Sequence, residues 1–172
     1  GTTVTVTFAG ETLTATAGAN GKWLVRLPAQ PASAEPQTLT IAGTSTVTVQ
    51  DVLIGEVWLC SGQSNMQFTL GESYDGDLEA AAASWPDLRL ITVPQVGTQD
   101  LQDDFEGEWA PSSPGVARKF SAVGYLFGRS LHKILGVPVG IINVSWGSSK
   151  AEAWVRRASL DSDPRFRALM EE

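Results

Sequence analysis

The periodicity of apolar residues changes near residue 50, and a chain that switches pattern in this way cannot be one uniform sheet or one helical bundle. Residues 1–50 are rich in threonine and carry only the charges Glu11, Lys22, Arg26 and Glu35. Their apolar residues alternate at Val4/Val6/Phe8, Trp23/Val25/Leu27, Leu39/Ile41 and Val47/Val49, the period of strands with one covered face. Gly10, Ala19-Asn20-Gly21 and the proline-rich stretch 28–36 interrupt the alternation where turns belong. Residues 1–51 are therefore expected to form a small antiparallel β-sandwich-like domain that packs or orients and carries no chemistry.

Residues 52–172 read differently. Longer apolar runs at 52–60, 88–93 and 137–144 alternate with helical stretches near 75–84 and from Ala122 to Leu135. Strands separated by helices predict an α/β domain with a parallel sheet and crossovers. Ser121 is the expected N-cap of the longer helix and Gly136 its terminator. Gly124 and Gly128 share one face of that helix and are expected to let it close on the sheet.

The first of these strands ends in Cys60-Ser61-Gly62-Gln63-Ser64-Asn65-Met66. A strand that stops at a small-residue turn projects the next side chain at the carboxyl edge of the sheet, where ligands of open α/β folds bind. Ser64 is thus a candidate nucleophile; the competing reading is that Ser64 and Asn65 cap the next helix. Met66 stands where a Gly-x-Ser-x-Gly elbow has its second glycine, so an α/β-hydrolase elbow is excluded. The third strand ends in Asn143-Val144-Ser145-Trp146-Gly147-Ser148-Ser149, at the same edge. Ser148 and Ser149 are alternative hydroxyls there.

Charge narrows the partners. A net charge of −7 and a pI near 4.7 argue against nucleic acid or an anionic membrane, and no apolar run is long enough to span a bilayer. The chain starts in strand-like sequence, so a signal peptide is expected to be removed or never present. Cys60 is the one cysteine and is expected to be a buried, inert thiol. Acidic residues crowd 72–108 and basic ones 118–172; without binding-loop spacing the former read as a solvated loop, and no metal or cofactor is expected. His132, the one histidine, falls inside the 122–135 helix, away from strand ends, and is not expected to be a catalytic base.

The run Asp51-Val52-Leu53-Ile54-Gly55-Glu56-Val57-Trp58-Leu59-Cys60-Ser61-Gly62-Gln63-Ser64-Asn65-Met66 closely resembles the first block of the sialate O-acetylesterase family, part of the SGNH (GDSL-like) hydrolases. Asn20–Pro28 and Thr38–Ile41 resemble its N-terminal β-domain, and Phe120–Arg129 and Gly136–Gly147 its next two landmarks. The resemblance implies a flavodoxin-like parallel sheet, present here in its first strands and helices, and a serine esterase that removes acetyl groups from sugars. By the same resemblance Ser64 is the nucleophile, Gly147 lends an oxyanion N–H beside that of Ser64, and Gln63 and Asn65 contact substrate. Ser148 replaces a second glycine of the family loop. Glu152 and Trp154 match a Glu-Ala-Trp motif expected to buttress it. A secreted or periplasmic location is favoured on the same ground.

The family's Asp-x-x-His block does not occur in this sequence, nor does its Trp-Tyr-Gln-Gly-Glu-like block. The expectation is that the His/Asp pair comes from a segment or second chain, and that the chain alone is inactive. The alternative is a non-catalytic carbohydrate-binding or structural fragment of such an esterase.

Overall fold

The computed structural model describes residues 1–98 and 100–170. Strands β1 (Thr3–Phe8), β2 (Glu11–Thr16), β3 (Ser33–Ala42) and β4 (Thr46–Ile54) form an antiparallel sheet in the order β2-β1-β3-β4. Val4, Val6 and Phe8 are its buried residues, as their alternation predicts. Of the expected sandwich, the described residues build one layer.

The alternation at Trp23, Val25 and Leu27 does not produce a strand: residues 17–32 run outside both sheets. Both edges of β1 are taken, by β2 and β3, and the prolines that follow have no N–H to give a ladder. Period two reports extension, whereas a strand also needs a partner ladder, and these residues pair with neither outer edge of the sheet.

The sheets change at Gly55. Residues 52–54, expected to open the first parallel strand, close β4 instead, and the second sheet begins with β5 (Glu56–Gly62). On β4 Gln50 and Asp51 together stand opposite Thr38 of β3, a bulge at which Asp51 takes φ 59°. The bulge turns its carboxylate onto Arg89 of the second sheet, whose Nη1 donates at 2.8 Å. That guanidinium holds the Asp51 carboxyl below its ordinary range.

In the second sheet β6 (Trp85–Thr92), β7 (Ala110–Ser112) and β8 (Val139–Ser145) join β5 in the order β5-β8-β6-β7. The three strands predicted from apolar runs are parallel; β7, antiparallel to β6, makes the sheet mixed. β8 lies between the first two parallel strands, so the order departs from the 2-1-3 start of a flavodoxin sheet. Burial explains the placement: β8 has no exposed residue, whereas Val57 and Leu59 of the marginal β5 are 63% and 64% exposed.

Helices α1 (Ser64–Gln67), α2 (Gly76–Ala81), α3 (Pro114–Lys119) and α4 (Ala122–Leu135) connect these strands, and α5 (Arg157–Asp161) and α6 (Arg167–Met170) follow β8. Among the described residues no helix is long and apolar enough to cross a membrane. The Ser121 hydroxyl caps α4 by accepting from Gly124 N–H at 3.1 Å, and Gly136 ends it at φ 66°. Asp77 of α2 pairs with Arg118 and Glu79 with Arg129, so part of the expected solvated acidic segment is tied to the basic half of the chain.

Gly128 does what its position suggests: a Cβ there would lie 2.5 Å from Ile141 Cγ1 and 3.1 Å from Leu88 Cδ1. Gly124 does not meet the sheet; its neighbours are Phe120 and the capping Ser121. Gly128→Ala should therefore destabilise the protein. Overpacking against the fully buried Ile141 costs about 2–3 kcal/mol, which exceeds the ~1 kcal/mol that alanine gains over glycine in a helix. Denaturant midpoints should fall for Gly128→Ala and hold for Ser130→Ala on the exposed face of the same helix; equal midpoints would contradict the close packing.

Candidate active site

β5 ends because Gly62 adopts φ 154°, outside what side chains favour, and turns the chain into α1. A Cβ there would also stand 3.2 Å from Met66 Cβ. Ser64 opens α1 and is exposed at the carboxyl end of β5, in a hollow of about 460 Å³ lined by Gly62, Gln63, Ser64, Asn65 and Met66. The capping alternative fails on geometry. Gln63 occupies the N-cap and its side chain accepts from Ser64 N–H at 2.9 Å, so Ser64 is free of that task. The Ser64 hydroxyl donates to the same Gln63 Oε1 at 2.6 Å.

Register brings the second loop alongside. Gly62 pairs with Ser145 across β5 and β8, and Trp146 N–H donates to Gly62 O at 3.0 Å. Gly147 consequently faces α1: a Cβ on it would be 3.4 Å from Ser64 Oγ and 2.6 Å from Gln67 Oε1. Its N–H donates to Gln67 Oε1 at 2.5 Å. Ser148 takes φ 63°. That left-handed conformation costs a side chain about 1–2 kcal/mol and suits glycine, which accounts for the glycine expected at this place.

The loop is fixed on several sides. Gln95 Nε2 donates to Ser145 O at 3.0 Å, Ser149 Oγ to Trp146 O at 2.6 Å, and Trp154 Nε1 to Ser149 Oγ at 2.8 Å. Ser149 is thereby engaged in the loop, Trp154 is its prop, and Glu152 lies in the 3-10 turn that carries Trp154.

His132 is at the opposite end of the sheet. Its Nδ1 donates to Val137 O at 2.7 Å and its ring packs edge-on to Trp85, the first residue of β6. From Val139 to Ser145 the strand advances about 20 Å, so this imidazole does not reach Ser64. Cys60 lies in the buried core behind the turn, where burial pushes its thiol up.

Two participants escaped the sequence. Gln67 had a usable signal, since it is three residues after Ser64 and so on the same helical face. Gln95 had none, because its loop position lacks periodicity.

No family model matches the chain. Relatives do. The rat sialate O-acetylesterase is 34% identical across 93% of this chain, and the human sialate O-acetylesterase is 40% identical across 67% of it. A solved carbohydrate acetylesterase from Xanthomonas citri superposes with a TM-score of 0.88 at 41% identity, covering 94% of this chain. The chain belongs to the sialate O-acetylesterase family. It spans 33% of the rat sialate O-acetylesterase, 24% of the human one and 38% of the Xanthomonas citri acetylesterase. Members this similar share a backbone, so the mixed α/β fold with its separate antiparallel sheet is that of the solved acetylesterase.

Proposed function

We propose that this chain carries the nucleophile of a serine esterase that removes O-acetyl groups from carbohydrates. The observation that supports this best is the meeting of Ser64 Oγ with the Gly147 peptide, set by the pairing of Gly62 with Ser145. A hydroxyl beside a fixed peptide N–H is the arrangement acyl transfer needs: one attacks the carbonyl carbon, the other receives the charge that develops on its oxygen. The names of the relatives, sialate O-acetylesterases and a carbohydrate acetylesterase, supply the substrate class.

In this proposal Ser64 Oγ attacks the acetyl carbon, the N–H groups of Ser64 and Gly147 hold the oxyanion, and Gln63 and Asn65 border the sugar. A histidine oriented by an aspartate, from the Asp-x-x-His block of another segment or chain, takes the Ser64 proton and delivers it to the departing sugar oxygen. Residues 1–51 serve as an orienting module and 52–172 as part of an SGNH-type catalytic domain.

Acetate release from O-acetylated sialic acid and from acetylated xylan tests the reading on the protein as it occurs naturally. Hydrolysis of at least one is expected. Inertness toward both, in folded protein, would favour a non-catalytic carbohydrate-binding fragment instead. His132→Gln should leave acetate release within twofold of the parent, since the imidazole is held at the far end of the sheet. A loss of a hundredfold would return the base to this chain.

A further inference from the structure

Both N–H groups that the esterase reading assigns to the oxyanion are already occupied, each by a glutamine side-chain carbonyl. Gln63 Oε1 takes that of Ser64 and Gln67 Oε1 takes that of Gly147. We propose that Gln67 sits in the seat of the substrate's acyl oxygen and acts as a gate that the ester displaces on binding; this rests on Ser64 being an esterase nucleophile.

Three observations lead here. The first is place: the point to which Gly147 would project a Cβ has Gln67 Oε1 at 2.6 Å and Ser64 Oγ at 3.4 Å, so the amide oxygen and the serine hydroxyl border the same small space next to the Gly147 N–H. The second is redundancy. The loop bearing Gly147 is held by Gly62, Gln95, Ser149 and Trp154, none of which involves Gln67. A donor fixed by other contacts needs no side chain to position it. The third is freedom, because Gln67 is exposed at the last residue of the single-turn α1 and can rotate about its own torsions.

Chemistry supports displacement. An amide carbonyl and an ester carbonyl are acceptors of the same class, so the glutamine is a fair stand-in for bound substrate. The oxyanion formed after attack is a stronger acceptor than either, and it therefore outcompetes Gln67 when it matters most. A closed gate reduces apparent affinity by the fraction of molecules that are open.

The test uses Gln67→Ala and Gln67→Glu in the natural protein, with two readouts. By amide NMR, Gln67→Ala should move the Gly147 resonance and speed its hydrogen exchange. With 4-nitrophenyl acetate, the same change should raise kcat/KM about fivefold, the factor of one net hydrogen bond, carried by a lower KM. Gln67→Glu places a carboxylate on the donor. Relative to the parent at each pH, its kcat/KM should fall tenfold or more where that carboxylate is ionised and recover as acid protonates it, a profile a purely structural role would not give.

An active parent whose Gly147 amide is unmoved in Gln67→Ala would overturn the gate alone. So would a tenfold fall in kcat at unchanged KM, which would make Gln67 a holder of the donor. A parent inert toward acetyl esters would remove the esterase reading and the gate together.

Discussion

Ser64→Ala should abolish acetyl-ester hydrolysis, lowering kcat on the order of a million-fold, as deletion of the nucleophile does in other serine hydrolases. The protein should stay folded. Ser64 is exposed, its hydroxyl donates to the adjacent Gln63 as its one partner among the described residues, and the cap of α1 belongs to Gln63, so an alanine removes neither packing nor a cap. Its stability should change by no more than ~0.5 kcal/mol, the range for surface substitutions of this kind. Steady-state kinetics with 4-nitrophenyl acetate and a thermal melt on one preparation decide the matter. A folded variant that keeps a tenth of the parent rate would end the case for Ser64 and turn attention to Ser148 or Ser149.

The second large effect is expected at Gly147. Loss of one oxyanion donor costs about a hundredfold to a thousandfold in kcat, and Gly147→Ala, which keeps the N–H but crowds the oxygen it would hold, should fall at the lower end of that span. The backbone tolerates the change because Gly147 is outside the positive φ range. The added methyl would stand in ordinary contact with Ser64 Oγ at 3.4 Å but only 2.6 Å from Gln67 Oε1, so that even with this mobile side chain swung away it crowds the place beside the Gly147 N–H where the acyl oxygen would sit. The rate should therefore drop about a hundredfold with KM changed by less. Unaltered kcat would move the donor to another peptide, with Ser148 next in line.

How much of this was legible depends on which interaction decides each element. α4 was readable to the residue, because its cap Ser121 and its terminator Gly136 are local signals. The parallel strands were readable as apolar runs, but their order was not: β8 takes the centre because it is covered on both faces, a fact about neighbours that no window of sequence contains. Trp23–Leu27 misled for the same reason, carrying a strand's alternation without pairing to any strand. At the site, the turn at Gly62 and the candidacy of Ser64 came from small residues after an apolar run. The closeness of Ser64 to Gly147, residues 83 positions apart, required the β5–β8 register. Gln67 and Gln95 act through single long-range hydrogen bonds; the spacing of Gln67 from Ser64 put it on the right helical face but could not name its partner, and Gln95 left no pattern at all.

The marginal position of β5 has a consequence in time as well as space. A strand paired on one side opens more often than one paired on both, and here the strand at the margin is the one that delivers Ser64. On the proposed esterase reading, the time Ser64 spends in position to attack would follow how long β5 stays seated against β8. On that reading, an element that paired with the side of β5 left open among the described residues would lengthen this time without touching the serine, tying turnover to the persistence of one backbone ladder.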